Sequence, residues 1–351
     1  FRRVLFRSNT GGPNIGCSFI KLIPDAKGGL KFGDYFTPFN VDFLNAADAD
    51  LGSAGVLAIP GTDFVVGGGK HAVLFLLDSN KMGKFHAGDD SHAKQAFQAT
   101  NGDIRGTPIY YDSPTTGKSV YIWGSDDFLK AYQFDGAKFN TTPAAFSSES
   151  VTWPGGILSL SANGKTPGSA VLWASHSLGG NANWTSVPGA IKAYDPNTIT
   201  VGSDGVPRMK TLWDSENSTA DRVGMLAKFC PPTVANGKLY VPTFGGYGSP
   251  LGSGQLVVYG LLPTAISQAP TLIAASGNGN VQLNWNLVPR AFSYSLWRSE
   301  AGGAFQLLSE SALPGYIDGT VSNNVTYAYQ VVRSEEHTSE LQSPCNLVCR
   351  L

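Results

Sequence analysis

The chain has 351 residues, a formal net charge of −1 and only 15% charged residues, well below the ~25% usual in soluble domains. A near-neutral chain gives no electrostatic case for nucleic acid or an anionic membrane as partner, and no apolar run approaches the ~18 residues of a membrane-crossing helix. Length alone allows two or three domains.

The two ends are read first, because they bound everything between them. Residues 333–340, "RSEEHTSE", can be encoded by AGATCGGAAGAGCACACGTCTGAA. The reverse complement of that word translates as "FRRVLFRS", which is residues 1–8. One DNA word on opposite strands therefore accounts for both ends, and it resembles a common short-read sequencing adapter. Residues 1–8 and 333–351 are expected to be translated adapter, to be set apart from fold reasoning. Cys345 and Cys349 of "CNLVC" then leave the cysteine count, and His337 leaves the candidate ligands. The remaining cysteines, Cys17 and Cys230, are far apart and are expected to be isolated thiols.

Between the ends, glycine and proline interrupt the chain too often for long helices. The apolar runs are short, β-branched and aromatic, as strands are. They recur. The units are residues 52–78, 106–135, 155–195 and 230–260, with part of another before Asp50. Each has a first strand after a small residue or proline, then a glycine-containing turn. A second strand follows ("FVVGGG", "VYIWGS", "VLWASH", "LYVPTF"), and then a third ("VLFLLD", "LKAYQF", "AIKAYD", "QLVVYG"). Three strands and a variable fourth are the grammar of a β-propeller blade. Inserts at residues 178–188 and 247–254 fall between strands.

Several short stretches carry chemistry-bearing residues, taken here in chain order. "NAADAD" offers Asp48 and Asp50 as a cation loop. "GGGKH" lacks the first glycine and the Ser/Thr of a phosphate loop and is expected to be a turn with Lys70 in solvent. "HAGDDSH" gathers His86, Asp89, Asp90 and His92, ligand types for a divalent metal, at a spacing that matches no standard site. A polar surface loop is the preferred reading there, with no metal expected. Asp126 and Asp127 of "GSDDF" are read as a turn. "VLWASHSLGG" has Ser175 where a nucleophile elbow needs glycine, which argues against an acyl-transfer role for Ser177 and His176. Trp123, Trp153, Trp173 and Trp213 are expected to pack between strands rather than form a ligand platform.

The repeats resemble the quinoprotein-type (PQQ-like) propeller family over about residues 18–263. "AYDPNT…LW" fits best, with Ala193, Asp195, Thr198 and Trp213 in the blade-docking pattern. "LFLLDSNKMGKF" and "AYQFDGAKF" are weaker copies, and "PPTVANGKLYV" matches an inner-strand phrase of such blades. The resemblance implies a ring of seven or eight blades, of which about four to five are present. In quinoprotein dehydrogenases it also implies pyrroloquinoline quinone, a Ca²⁺ that polarises it and an Asp base. No residue of this chain aligns with that catalytic set, so catalytic and cofactor residues are left unassigned.

Residues 264–268 read as a linker. From residue 269 to 332 the chain resembles a fibronectin type III domain. Trp285 sits on the alternating strand "VQLNWN" and Tyr294 on "SYSLWRS". Tyr327 of "VTYAYQVV" is placed for a tyrosine corner. The adapter tail falls where the sandwich's last strand belongs, so that strand is expected to be missing. The whole is expected to be all-β. Low Cys and Lys with plentiful Thr, Ser, Asn and Gly suits an exported bacterial protein, extracellular or periplasmic. Three functions are open: a surface binding or scaffold module with a protein or glycan partner, a quinoprotein oxidoreductase, and a carbohydrate-active protein.

Overall fold

The computed structural model describes residues 15–246, 253–260, 269–288, 291, 293–334 and 345–350, the last as backbone. Residues 1–8, the linker at 264–268 and most of the insert at 247–254 lie outside the described residues. The described chain is all-β apart from one short helix, α1 (Val41–Ala46), and three 3-10 turns. It divides into two units, Phe1–Gly260 and Leu261–Leu351.

In the first unit, strands β1 (Phe19–Pro24) and β2 (Leu30–Thr37) form a hairpin. Strands β3 (Leu57–Ala58), β4 (Phe64–Gly68), β5 (Val73–Asp78), β6 (Lys84–Phe85) and β7 (Gln95–Gln98) follow. β6 joins the hairpin, pairing parallel to β2, and β3-β4-β5-β7 is an antiparallel meander. Strands β8 (Ile109–Ser113), β9 (Gly117–Trp123), β10 (Asp127–Gln133) and β11 (Ala145–Val151) make the next meander. Strands β12 (Ile157–Ser161), β13 (Val171–Ser177), β14 (Gly189–Val201) and β15 (Pro207–Asp214) make another. These two are linked into one eight-stranded sheet by a single parallel bridge, Phe146↔Arg208. The unit ends with the three-stranded sheet β16 (Thr233–Ala235), β17 (Lys238–Thr243) and β18 (Gln255–Gly260).

The apolar runs explain the stacking. A strand covered on one face alternates, whereas one covered on both faces is continuously apolar. β5 reads "VLFLLD" and is buried through its middle. Leu74 and Leu76 enter a cluster with Ile59, Val66, Val120 and Ile122. Phe75 and Leu77 enter another with Phe19 and Phe36. Adjacent sheets thus share a core face to face, each fully buried Leu contributing about 1.5–3 kcal/mol. The pattern continues along the chain. Tyr121, Trp123 and Leu129 pack with Leu172, Ala174 and Tyr194, and Ile191, Trp173 and Trp213 pack with Leu239 and Val241. Four cores join the hairpin sheet, the first meander, the two halves of the eight-stranded sheet and the last three-stranded sheet in succession.

Local chemistry fixes the turns. At β14, Thr198 donates to Asp195 Oδ2 at 2.7 Å and the Asn197 amide to Oδ1 at 2.8 Å. The β14–β15 register shifts between Asp195 and Ile199 as a result. Trp213, opposite Ala193, lies 5.2 Å from Tyr259 at 66°.

The second unit is a fibronectin type III-like sandwich. Strands β19 (Leu272–Gly277), β20 (Asn280–Trp285), β21 (Ser293–Glu300), β22 (Gln306–Ser311), β23 (Tyr316–Asp318), β24 (Thr326–Ser334) and β25 (Cys345–Arg350) form two sheets, β19-β20-β23 and β22-β21-β24-β25. Trp285 packs 5.7 Å from Tyr294 in the shared core. The Tyr327 hydroxyl accepts from the Ser322 amide at 3.0 Å, five residues upstream, the geometry of a tyrosine corner. Fully buried Asp318 accepts from Arg298, Thr320 and Tyr329, which satisfies a charge that would otherwise be costly.

The seventh-strand position is filled from the tail: residues 345–350 run antiparallel to β24, with Tyr327 opposite Cys349. β24 itself continues to Ser334, with Arg333 buried. An unpaired edge presents free N–H and C=O groups, and an extended segment within reach pairs with them.

Candidate functional site

The sequence-predicted residues fall in four places. Asp48 and Asp50 meet Lys70, which is not in solvent as expected: its side chain is 15% exposed, and its ammonium lies 2.9 Å from Asp48 Oδ2 and 2.6 Å from Asp50 Oδ2. Glycine makes this approach possible. A Cβ at Gly69 would stand 2.5 Å from the Asp50 carbonyl oxygen and 2.6 Å from Leu51 Cα. The "GGGK" run therefore lets the acidic loop lie on the strand end and brings its carboxylates to the lysine. Burial pushes the Lys70 ammonium down, but the two carboxylates outweigh it and hold its pKa above the usual value. The acidic loop holds a cation, and the cation is this chain's own.

His86 and His92 stack at 4.2 Å and 24°. The Asp90 carboxylate turns away to accept from the Phe39 amide at 2.9 Å, and burial raises its pKa. Asp89 accepts from the Ser91 amide at 3.0 Å. His92 Nε2 lies 3.2 Å from the Lys84 carbonyl, and Nδ1 is buried without a partner. Burial, helped by His86, lowers the His92 pKa. Among the described residues, no group of three or more His, Cys, Asp or Glu side chains converges to hold a metal.

Asp126 sits at φ 53° between β9 and β10, a turn position. Asp127 is buried, taking hydrogen bonds from the Asn101 amide and Lys130. Ser177 ends β13 and is buried beside Thr152, and the following residues are a loop rather than a helix. His176 is buried, its pKa lowered by that burial, against Trp123 at 5.2 Å. His176 and Ser177 are each only 3% exposed. Trp123 donates to the Asp127 carbonyl at 2.9 Å and Trp173 to Ser161 at 3.0 Å, both inside cores.

Trp153 differs from the other tryptophans. It packs on Arg105, which lines a cavity of about 1140 Å³ in the first unit that sequence reasoning missed. Cys17, Asp42, Asp50, Lys70, Arg105 and Phe229 line it. The Arg105 guanidinium lies 4.7 Å from the Trp153 ring centre and 5.8 Å from that of Phe229, close enough for cation–π attraction. Its Nη2 is 2.6 Å from Asp103, and its Nε is buried without a partner. Trp153 and Phe229 meet edge to face at 5.5 Å. Phe229 holds φ at +68° and is 46% exposed. A bulky residue in the left-handed region is costly and clusters at functional sites. Lys228 crosses Trp153 at 5.0 Å and donates to the carbonyls of Ala182 and Asn183. The charged lining residues are two acidic and two basic, Asp42 and Asp50 against Lys70 and Arg105.

A quinone held with Ca²⁺ needs carboxylates free to ligate the ion. Asp48 and Asp50 already hold the Lys70 ammonium, Glu149 and Asp214 hold that of Lys192, and no group of three or more His, Cys, Asp or Glu converges among the described residues. The residues present do not fit that cofactor.

No family model matches the chain. An amylopullulanase from Thermoanaerobacter thermohydrosulfuricus is 33% identical over 110 residues, 31% of this chain and 7% of that protein. The chain thus spans a small part of that curated relative. Among solved structures, a Fn3-like protein from Clostridium thermocellum is 26% identical, covering 22% of this chain and 86% of its own at a TM-score of 0.20. A two-domain fibronectin type III segment of chicken tenascin is 10% identical, over 48% of this chain and 94% of its own, at 0.23. The extracellular domain of a protein assigned as a one-component system from B. thetaiotaomicron is 10% identical, over 94% of this chain and 50% of its own, at 0.30. No described helix is long and apolar enough to cross a membrane.

Proposed function

We propose that the chain is part of an exported bacterial binding module whose ligand is a neutral glycan. In this reading the first unit is a run of propeller blades, and the fibronectin type III-like unit is a spacer. Four sheets, the eight-stranded one built of two meanders, share four cores in succession, which supports the blades. The observation that carries the ligand is the charge-balanced, aromatic cavity around Arg105. Its Nε has no internal partner. An anion would need surplus positive charge, which two acids and two bases do not give. A sugar needs planar hydrogen-bonding groups beside an apolar face, and of the lining residues Arg105 and Phe229 supply both, with Trp153 packed behind Arg105. The stretch shared with an amylopullulanase supports a glycan and makes pullulan the first to try.

The test is affinity electrophoresis of the full chain through gels containing pullulan, soluble starch, xylan or hydroxyethyl cellulose. Retardation by at least one, lost in Arg105→Met, is the expected result. Free migration through all four would end this reading.

A further inference from the structure

The insert at residues 178–188 puts the indole of Trp184 in solvent, 90% exposed. Large aromatic rings are seldom left there without use. The loop that carries it is held on both sides. Ala182 and Val187 are buried with Leu226 and half-buried Trp153. The Ala182 amide donates to the Trp153 carbonyl at 3.2 Å. Lys228 clamps the carbonyls of Ala182 and Asn183, at 3.0 and 2.9 Å. The Asn181 side chain accepts from the Asn183 amide at 2.8 Å, and the Thr185 hydroxyl donates to the Asn181 carbonyl at 3.3 Å. Trp184 is therefore an exposed ring on a braced loop, which keeps the ordering cost of binding low.

The surroundings select the occupant. The insert, "LGGNANWTSVP", has no charged residue. The polar side chains beside Trp184 in the insert are amides and hydroxyls, Asn181, Asn183, Thr185 and Ser186, and the ammonium of Lys228, which reaches this loop, is taken up by the carbonyls of Ala182 and Asn183. This set of groups favours a neutral occupant. It suits the C–H face of a pyranose ring on the indole, with hydroxyls meeting the amides. Contacts link the loop to Arg105 of the cavity lining: Lys228, which clamps the loop, crosses Trp153, and Trp153 packs on Arg105.

We infer that Trp184 is a second glycan subsite, a stacking platform for one sugar ring of a neutral oligosaccharide whose other end enters the Arg105 cavity. This rests on the glycan reading above. The experiment runs the full chain, Trp184→Ala and Trp184→Phe through the same four glycan gels, with melting curves and sedimentation velocity alongside. The expected result is retardation of the parent, an apparent affinity about tenfold weaker in Trp184→Ala and a smaller loss in Trp184→Phe, with melting unchanged. If Trp184→Ala is retarded like the parent, the platform is refuted while glycan binding stands. If the substitution instead abolishes self-association and leaves retardation intact, the ring is a contact between copies and the inference fails. If no gel retards the parent, the underlying reading has failed and the platform goes with it.

Discussion

Lys192 on β14 stands between Glu149 on β11 and Asp214 on β15, at 2.9 and 3.1 Å. It sits where two meanders meet through one backbone bridge. Burial depresses the lysine's pKa, but the two carboxylates outweigh this and raise it. Lys192→Met keeps most of the aliphatic stem and removes the charge. Stripping a buried pair of one partner costs about 3–5 kcal/mol. The carboxylates keep 27% and 19% exposure, so some hydration is retained and a cost of about 2–3 kcal/mol is expected. For a unit of this size that lowers the melting temperature by about 5–10 °C, read by calorimetry at pH 7. The pH course is a second check. Burial pushes Glu149 up, but hydrogen bonds from Ser148, Tyr194 and Lys192 outweigh it and leave its pKa below the usual value. A depressed carboxylate stabilises above its unfolded value, near ~4.3, and that stability is lost as pH falls through the folded value. The gap between parent and variant should therefore narrow on acidification. An unchanged melting temperature at pH 7, or a gap that is the same at pH 7 and in acid, would sink the argument.

Two further outcomes are expected. In Lys70→Met, Asp48 and Asp50 lose their cation, so millimolar Ca²⁺ should raise the variant's melting temperature and leave the parent unchanged. No rescue would mean that the ammonium does not fill a cation position. The depressed pKa of His92 means that the unfolded chain takes up the proton first, so stability present above pH ~6.5 declines as pH falls through the lower folded value. Melting between pH 7 and 5 should fall less steeply in His92→Phe than in the parent, and parallel slopes would count against it.

Strands were legible because their pattern is local. "VLFLLD" is apolar throughout and proves buried on both faces, and "NVQLNW" alternates and buries alternate residues. Trp285, Tyr294 and Tyr327 were legible because a sandwich needs aromatics at those strand positions. The cavity was not. Arg105, Trp153 and Phe229 are brought together by sheets far apart in sequence, and no spacing announces them. The signal that was available was Trp153 within "VTWPGG", a tryptophan outside any strand run. Lys70 was misplaced because a glycine run was read as freedom, when it serves close approach. Trp184 passed unremarked because a loop residue has no period to break. The reading of both ends as translated adapter rests on a shared DNA word, and the pairing of residues 345–350 does not bear on it.

The Phe146↔Arg208 bridge is the sole ladder contact between two four-stranded sheets that otherwise meet through side chains. Each sheet closes its own central ladders. The inner strands of each half stay paired without the bridge, so the two halves are held to one another by the side chains of their shared core. What must be kept is the face each sheet turns to the next. The inserts between strands, Trp184 among them, can change without disturbing the ladders of the frame.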